Sequence, residues 1–197
     1  MEIVYCILAG YILGSVSFAY LFTYFLTGKD IRDIGTGNPG AANVARSIGR
    51  KWGIIVWLGD TIKGVVPMLF AKNLGISNII ILTIVGVSAI LGHCYSIFLK
   101  FKGGKGAATS GGVILFLMPI LFPLVIILWF VAQKINPRSP KVLLSCVLVY
   151  FVLMFFTYGL RKDMMVFLQT SVSTILLIIT GIMVNPNLIK EIKEKKK

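Results

Sequence analysis

An all-α integral membrane protein, folded as a polytopic helical bundle, is the class this chain predicts, and three observations predict it. Of its 197 residues 57% are hydrophobic, with a mean hydropathy of +0.90, so the polar surface that would cover a soluble core is missing. The apolar residues gather into stretches near the roughly 20 residues needed to cross a hydrocarbon layer; these are 3–26, 52–71, 76–94, 113–132, 142–158 and 164–184. The formal charge of +13 lies mostly between those stretches and in a lysine-rich tail. That is the pattern of positive-inside loops, and it excludes a nucleic-acid face.

Taken in order, each apolar stretch must be a helix, because lipid offers no partner to a free backbone group. The first carries Glu2 and no basic leader and is too long for a signal-peptide core, so it is expected to persist as a membrane helix. Three basic segments belong on the cytoplasmic side: Lys29, Arg32, Arg46, Arg50 and Lys51; then Lys100, Lys102 and Lys105; then the tail 185–197 with Lys190, Lys193, Lys195, Lys196 and Lys197. Six crossings starting outside would leave that tail outside, so an odd count is required. A short helix within 40–49, punctuated by Pro39 and Gly49, supplies it better than a break at 118–123. Neither repeats nor a soluble domain interrupt the chain, which reads as one membrane domain over 1–197. Cys6, Cys94 and Cys146 are scattered through apolar segments, so packing is their expected role, with no metal, cofactor or disulfide implied.

Polar chemistry concentrates in a few places. Phe101-Lys102-Gly103-Gly104-Lys105-Gly106 is a loop of bare backbone and two cations, suited to an oxyanion nest or to a basic turn touching headgroups. It is not the nucleotide P-loop, which would need glycine at Leu99 and a hydroxyl residue at Gly106. Gly35, Gly37 and Gly40 satisfy G-x-G-x-x-G, but a dinucleotide reading fails without a strand before them. What remains is close backbone approach, Thr36 and Asn38 as donors, and Arg46 with its bidentate fork on the following helix. Asp60 and Lys63, at i and i+3 in an apolar helix, fall on one face as an intramembrane pair, functional or merely helix-binding. Ser17 is expected to bond back to its own helix.

His93, the only histidine, stands at a helix end ten residues before the glycine loop, as a titrating group or a structural one. No carboxylate follows within five residues, nor is there one between Asp60 and Asp163, so a histidine–aspartate base lacks its parts in the sequence.

Gly14-Ser15, Asp30-Ile-Arg32, Gly35-Thr-Gly-Asn-Pro-Gly-Ala-Ala-Asn-Val-Ala-Arg46, Asp60-Thr-Ile-Lys63-Gly64 and Gly92-His93 through Phe101-Lys-Gly-Gly-Lys-Gly-Ala-Ala-Thr109 together closely resemble the PlsY family, the acyl-phosphate-dependent glycerol-3-phosphate acyltransferases of bacteria. The resemblance implies seven transmembrane helices in a multi-pass protein of the bacterial cell membrane. The N-terminus would lie outside, with the C-terminus and active site on the cytoplasmic face. It implies transfer of a fatty acyl group from acyl phosphate to the 1-hydroxyl of sn-glycerol 3-phosphate, giving lysophosphatidic acid and phosphate, the first step of phospholipid biosynthesis. No cofactor is called for, and a monomer is expected.

On that reading His93, Arg46 and Lys105 are catalytic. Ser15, Thr36, Gly37, Asn38, Gly40, Asn43, Lys102, Gly103, Gly104, Gly106 and Thr109 bind substrate phosphate, and Asp60 with Lys63 supports them. One phosphate is assigned to Lys105 and the N–H groups of 103–106, the other to Arg46, Thr36 and Asn38. The proton of the attacking hydroxyl would go either to His93 or to a substrate phosphate, with the missing carboxylate favouring the phosphate. Departures from the family pattern are Thr36 for serine, Ser17 and Ser96 for prolines, and Asn185-Pro186-Asn187-Leu188-Ile189 for a His-Arg-x-Asn-Ile motif. The last keeps a catalytically altered paralogue open, and buried charge keeps an organic-phosphate transporter open.

Overall fold

The computed structural model describes residues 1–119 and scattered residues between 122 and 179. It falls into two compact units, Met1–Phe116 and Leu117–Lys197, and every described residue is in helix, turn or irregular backbone, with no strand among them. In the second unit the described residues are mostly helical, and the Thr174 hydroxyl reaches the Met118 sulfur at 4.0 Å. The predicted spans 142–158 and 164–184 are seen only at isolated residues, and the tail 185–197 lies outside the described residues.

The first unit carries α1 (Glu2–Ser15), α2 (Phe18–Thr27), α3 (Ala41–Ser47), α4 (Arg50–Asn73), α5 (Ile79–Cys94) and the start of α6 (Ala107–Leu117), with single 3₁₀ turns at Ile31–Asp33 and Ile97–Leu99. Three stretches among the described residues are long and apolar enough to cross a membrane: Glu2–Thr27, Arg50–Asn73 and Ile79–Leu99. The short helix expected within 40–49 is α3, and α6 begins at Ala107, ahead of the predicted 113. It stops at Leu117, two residues short of Pro119, whose ring disfavours helix at the residue before it.

The first span is not one continuous helix, as its apolar run had suggested. Val16 and Ser17 are extended, and Ser17 caps α2 by accepting the Tyr20 N–H at 3.2 Å. In an unbroken helix that N–H would belong to the Val16 carbonyl. The orphaned carbonyl instead accepts from Lys63 Nζ at 2.7 Å. The hydroxyl of Ser17 therefore does start a helix, as an N-cap rather than by bonding back along its own turn.

Small residues let these helices approach backbone to backbone. A Cβ at Gly14 would collide with the Ala89 carbonyl and one at Gly92 with that of Tyr11, which seats α1 on α5. Between α4 and α6 the contact is reciprocal: Gly64 packs on the Thr109 carbonyl and Gly112 on the Thr61 carbonyl. Such contacts are the membrane substitute for a hydrophobic driving force between helices, since lipid is already apolar. Further out, Ala19, Ile31, Val44 and Val56 form a buried cluster that joins α2, α3 and α4 beneath the 28–40 loop.

Candidate functional site

Two straps bring the glycine-rich segments together at one end of the bundle. Asp30 caps the 3₁₀ turn by accepting the Arg32 N–H at 2.9 Å, and its carboxylate grips the same arginine, with Nη2 to Oδ2 at 2.6 Å. The free edge of that guanidinium donates from Nη1 to the Leu99 carbonyl at 3.0 Å, just before the second loop. The Arg32 hydrogen bond holds the Asp30 carboxyl below its ordinary value. With the folded-state value depressed, the stabilisation is present above the ordinary range near 3.8 and is lost only as pH falls through the folded value. The strap is thus intact throughout the neutral range.

The second strap is the loop's own backbone. Gly103 N–H donates to the Cys94 carbonyl and Gly104 N–H to the His93 carbonyl, both at 3.0 Å. These two N–H groups therefore satisfy the end of α5. The expectation that gave them to a phosphate is revised: donors left at that end are Lys105, Gly106 and the first turn of α6, whose N–H groups have no intrahelical partner. Lys100 and Phe101, at φ 54° and 62°, are non-glycine residues in the left-handed region, and they turn the chain into the loop.

His93 lies where the segments meet. Added Cβ atoms locate it: one on Gly104 would strike His93 Nε2 and come within 3.0 Å of the Pro39 carbonyl. Only glycine at 104 lets the second loop, the imidazole and the first loop share this space. The other edge of the ring faces inward, with Nδ1 3.6 Å from Asp60 Oδ1. The carboxylate missing from the neighbouring sequence is thus supplied by α4, which corrects the expectation that a histidine–aspartate pair lacks its parts. Asp60 also contacts Lys63 Nζ at 2.9 Å, the i,i+3 pair expected from spacing, with both side chains at most 5% exposed. Removing either partner of such a buried pair costs about 3–5 kcal/mol, because the other charge is stranded.

Not every sequence candidate reaches this junction. Asn43 is 2% exposed and fully committed: Oδ1 accepts from the Thr36 N–H at 3.0 Å and the Ser47 hydroxyl at 3.3 Å, while Nδ2 donates to the carbonyls of Ile34 at 2.8 Å and Ile31 at 3.3 Å. It shapes the first loop and has no donor left for a phosphate. Ser15 is fully buried and donates to the Tyr11 carbonyl at 2.8 Å, so it too is a packing residue. The Gly37 and Gly40 N–H groups close local turns onto the Ile34 and Asn38 carbonyls. Thr109 is fully buried with no hydrogen bond to its hydroxyl, and its carbonyl packs on Gly64.

On the first segment Thr36 and Arg46 are exposed and Asn38 is half-buried, and on the second Lys102 and Lys105 are exposed. None of these three cations has a carboxylate partner among the described residues. Sequence reasoning gave no role to Asp30 and Arg32, although both were in view. It also missed Ser96, whose buried hydroxyl ties the second loop to α1 by donating to the Ser15 carbonyl at 2.6 Å. As a check on the shaping role, Asn43→Ala is expected to lower kcat/KM by about tenfold or more, because four hydrogen bonds of about 1 kcal/mol each are lost and buried groups orphaned. Retained activity with unchanged thermal stability would refute it.

A family model described as glycerol-3-phosphate acyltransferase matches residues 4–194. The chain is similar to the glycerol-3-phosphate acyltransferase of Syntrophomonas wolfei, 45% identical over 109 residues, 55% of each chain. It is also similar to that of Aquifex aeolicus, 39% identical over 130 residues, 66% of this chain and 67% of that protein. Its fold is similar to the crystal structure of PlsY (YgiH), an integral membrane glycerol 3-phosphate acyltransferase, in its glycerol 3-phosphate form. The TM-score is 0.74 at 29% identity, over 100% of this chain and 94% of that one. The lysophosphatidic acid form of the same enzyme matches with the same score and coverage at 28% identity.

Proposed function

The chain belongs to the glycerol-3-phosphate acyltransferase family, and we propose that it transfers a fatty acyl group from acyl phosphate to the 1-hydroxyl of sn-glycerol 3-phosphate. The products are lysophosphatidic acid and phosphate, and the reaction opens phospholipid biosynthesis at the cytoplasmic face of a bacterial cell membrane. The monomer is the working unit. The observation that carries this reading is the convergence of two glycine-rich segments on His93, segments that carry the exposed cations Arg46, Lys102 and Lys105, none with a carboxylate partner among the described residues. Both substrates bring a phosphate, and two cationic segments meeting at one imidazole suit two anions whose reacting ends must touch.

The acceptor hydroxyl attacks the carbonyl carbon of the mixed anhydride, the bond from that carbon to the bridging phosphate oxygen breaks, and phosphate departs. Its growing charge is met by Lys105, the Gly106 N–H and the first turn of α6. Arg46, Thr36 and Asn38 hold the acceptor's phosphate. The hydroxyl proton passes to His93 Nε2, a route that the Asp60 contact now favours over transfer to phosphate. Because acyl phosphate is already activated, positioning is the main task and is worth on the order of 7–11 kcal/mol in favourable cases. Fixed cations add the rest.

The deciding assay is phosphate release from acyl phosphate by purified protein, with and without glycerol 3-phosphate, and with acyl-CoA and acyl carrier protein as competing donors. Release only with acyl phosphate plus acceptor is the expected result. Arg46→Ala is expected to lower kcat/KM by about a hundredfold or more, the scale of a lost charge-assisted fork. Turnover near wild type would remove Arg46 from the site. Organic-phosphate transport is the second reading, favoured by the broken first span. Lys63 already fills that break, and exchange of labelled glycerol 3-phosphate across vesicles without acyl transfer would be needed to support it.

A further inference from the structure

The stretch between α5 and the glycine loop carries apolar surface that neither the bundle nor the site uses. Ile97, Phe98 and Phe101 are 51%, 64% and 60% exposed, whereas Leu99 in their midst is 4% exposed. Lys100 stands exposed among them, and residues 95–109 hold three lysines and no acidic residue. We propose that residues 97–101 are an interfacial anchor for the surface of an anionic bilayer: Ile97, Phe98 and Phe101 enter the boundary of the acyl chains, and the Lys100 ammonium meets lipid phosphate. Lys102 and Lys105 remain with the site already described.

These side chains are displayed by a fixed backbone. The Ser96 carbonyl accepts from the Leu99 N–H at 3.1 Å and the Phe101 N–H at 2.7 Å, while the Ser96 hydroxyl donates to the Ser15 carbonyl at 2.6 Å. Arg32 Nη1 donates to the Leu99 carbonyl at 3.0 Å. Lys100 and Phe101 follow at φ 54° and 62°, and two successive non-glycine residues in the left-handed region persist only where their surroundings fix them. A slack loop could fold its phenylalanines inward; this one is set with them outside. Its level follows from its place, at the end of the apolar span Ile79–Leu99 and directly before the lysines. Aromatic rings beside lysines at the end of a span are the composition of the headgroup layer. A second copy of this chain suits the edge less well, since a two-fold contact here would set the same lysines against each other. The anchor also reaches the site: Arg32 bonds Leu99, and Gly103 and Gly104 bond the end of α5, so its depth fixes the height of both glycine-rich segments.

Photocrosslinking of the full chain tests the occupant directly, and its readout does not depend on acyl transfer. Phe98→p-benzoylphenylalanine is placed in vesicles containing a minority of phosphatidylglycerol in phosphatidylethanolamine, irradiated, and read by intact mass. The expected product is protein carrying one phospholipid, with phosphatidylglycerol taking at least about twice its bulk share of the adducts. A cross-linked dimer, or a cross-link within the chain in place of a lipid adduct, overturns the proposal. Lys100→Glu on the same background is expected to return the phosphatidylglycerol share to the bulk value. An unchanged share would remove Lys100 from the headgroups and overturn the anionic part of the assignment. Replacing chloride by inorganic phosphate at equal ionic strength should leave the share as it was; its loss in phosphate alone would make the edge a site for a free anion, against the proposal. Phe101→p-benzoylphenylalanine gives the same readout from the other side of Lys100, and it decides should the Phe98 variant fail to fold.

Discussion

Removing the imidazole as His93→Ala is expected to reduce kcat by about a hundredfold to ten-thousandfold, the usual worth of a positioned general base, with KM for glycerol 3-phosphate nearly unchanged. The expectation follows from where the ring sits. Nε2 lies against Gly104 on the side of the Pro39 carbonyl, where the two glycine-rich segments meet. His93 is 6% exposed, whereas Arg46, Lys102 and Lys105, to which substrate phosphate is assigned, are exposed, so loss of the ring is expected to spare binding. A void left at 93 also frees Asp60 from one of its two neighbours, which is why fold must be followed alongside rate. Steady-state turnover and thermal unfolding in the same detergent separate the two effects. A kcat within about tenfold of wild type in a stable variant would send the proton to the departing phosphate instead, and His93 would then be a hinge pin for the loop.

How far the sequence shows this arrangement depends on the range over which each contact acts. The short helix α3 was legible because Pro39 and Gly49 punctuate it, and the Asp60–Lys63 pair because i,i+3 spacing fixes a face. The roles of Asn43 and Ser15 were not. Both residue types donate and accept, and whether such groups meet a ligand or their own backbone depends on loop closure that no spacing rule contains. The break at Val16–Ser17 hides inside an uninterrupted apolar run because its stabilising partner, Lys63, comes from another helix. For the same reason the search for a carboxylate near His93 failed along the chain and succeeded across it. Helix packing brings a sequence-distant Asp60 to within 3.6 Å of the ring.

That packing itself makes a sharp prediction, because adjacent glycines in α6 meet different surroundings. A methyl group at Gly112 would enter the Thr61 carbonyl of α4, while one at Gly111 meets no atom of the described residues within 4 Å. Gly112→Ala cannot be absorbed by a side-chain rotation, since the obstacle is backbone, so α6 must move off α4. Overpacking of this kind costs about 1–3 kcal/mol and sometimes more, and a backbone collision belongs at the upper end. An apparent melting midpoint lower by about 10 °C is expected on that basis. Activity should fall further than stability, because α6 carries the loop of Lys102 to Gly106 on its N-terminal end and a shift of about 1 Å at a catalytic group can cost about a hundredfold. Gly111→Ala, by contrast, should hold or raise the midpoint, as helix interiors favour alanine over glycine by up to about 1 kcal/mol. The pair is read by thermal unfolding and turnover of both variants side by side. Equal behaviour of the two would mean that the α4–α6 crossing is not what seats the cationic loop beside His93, and the geometry argued for the site would lose its support from below.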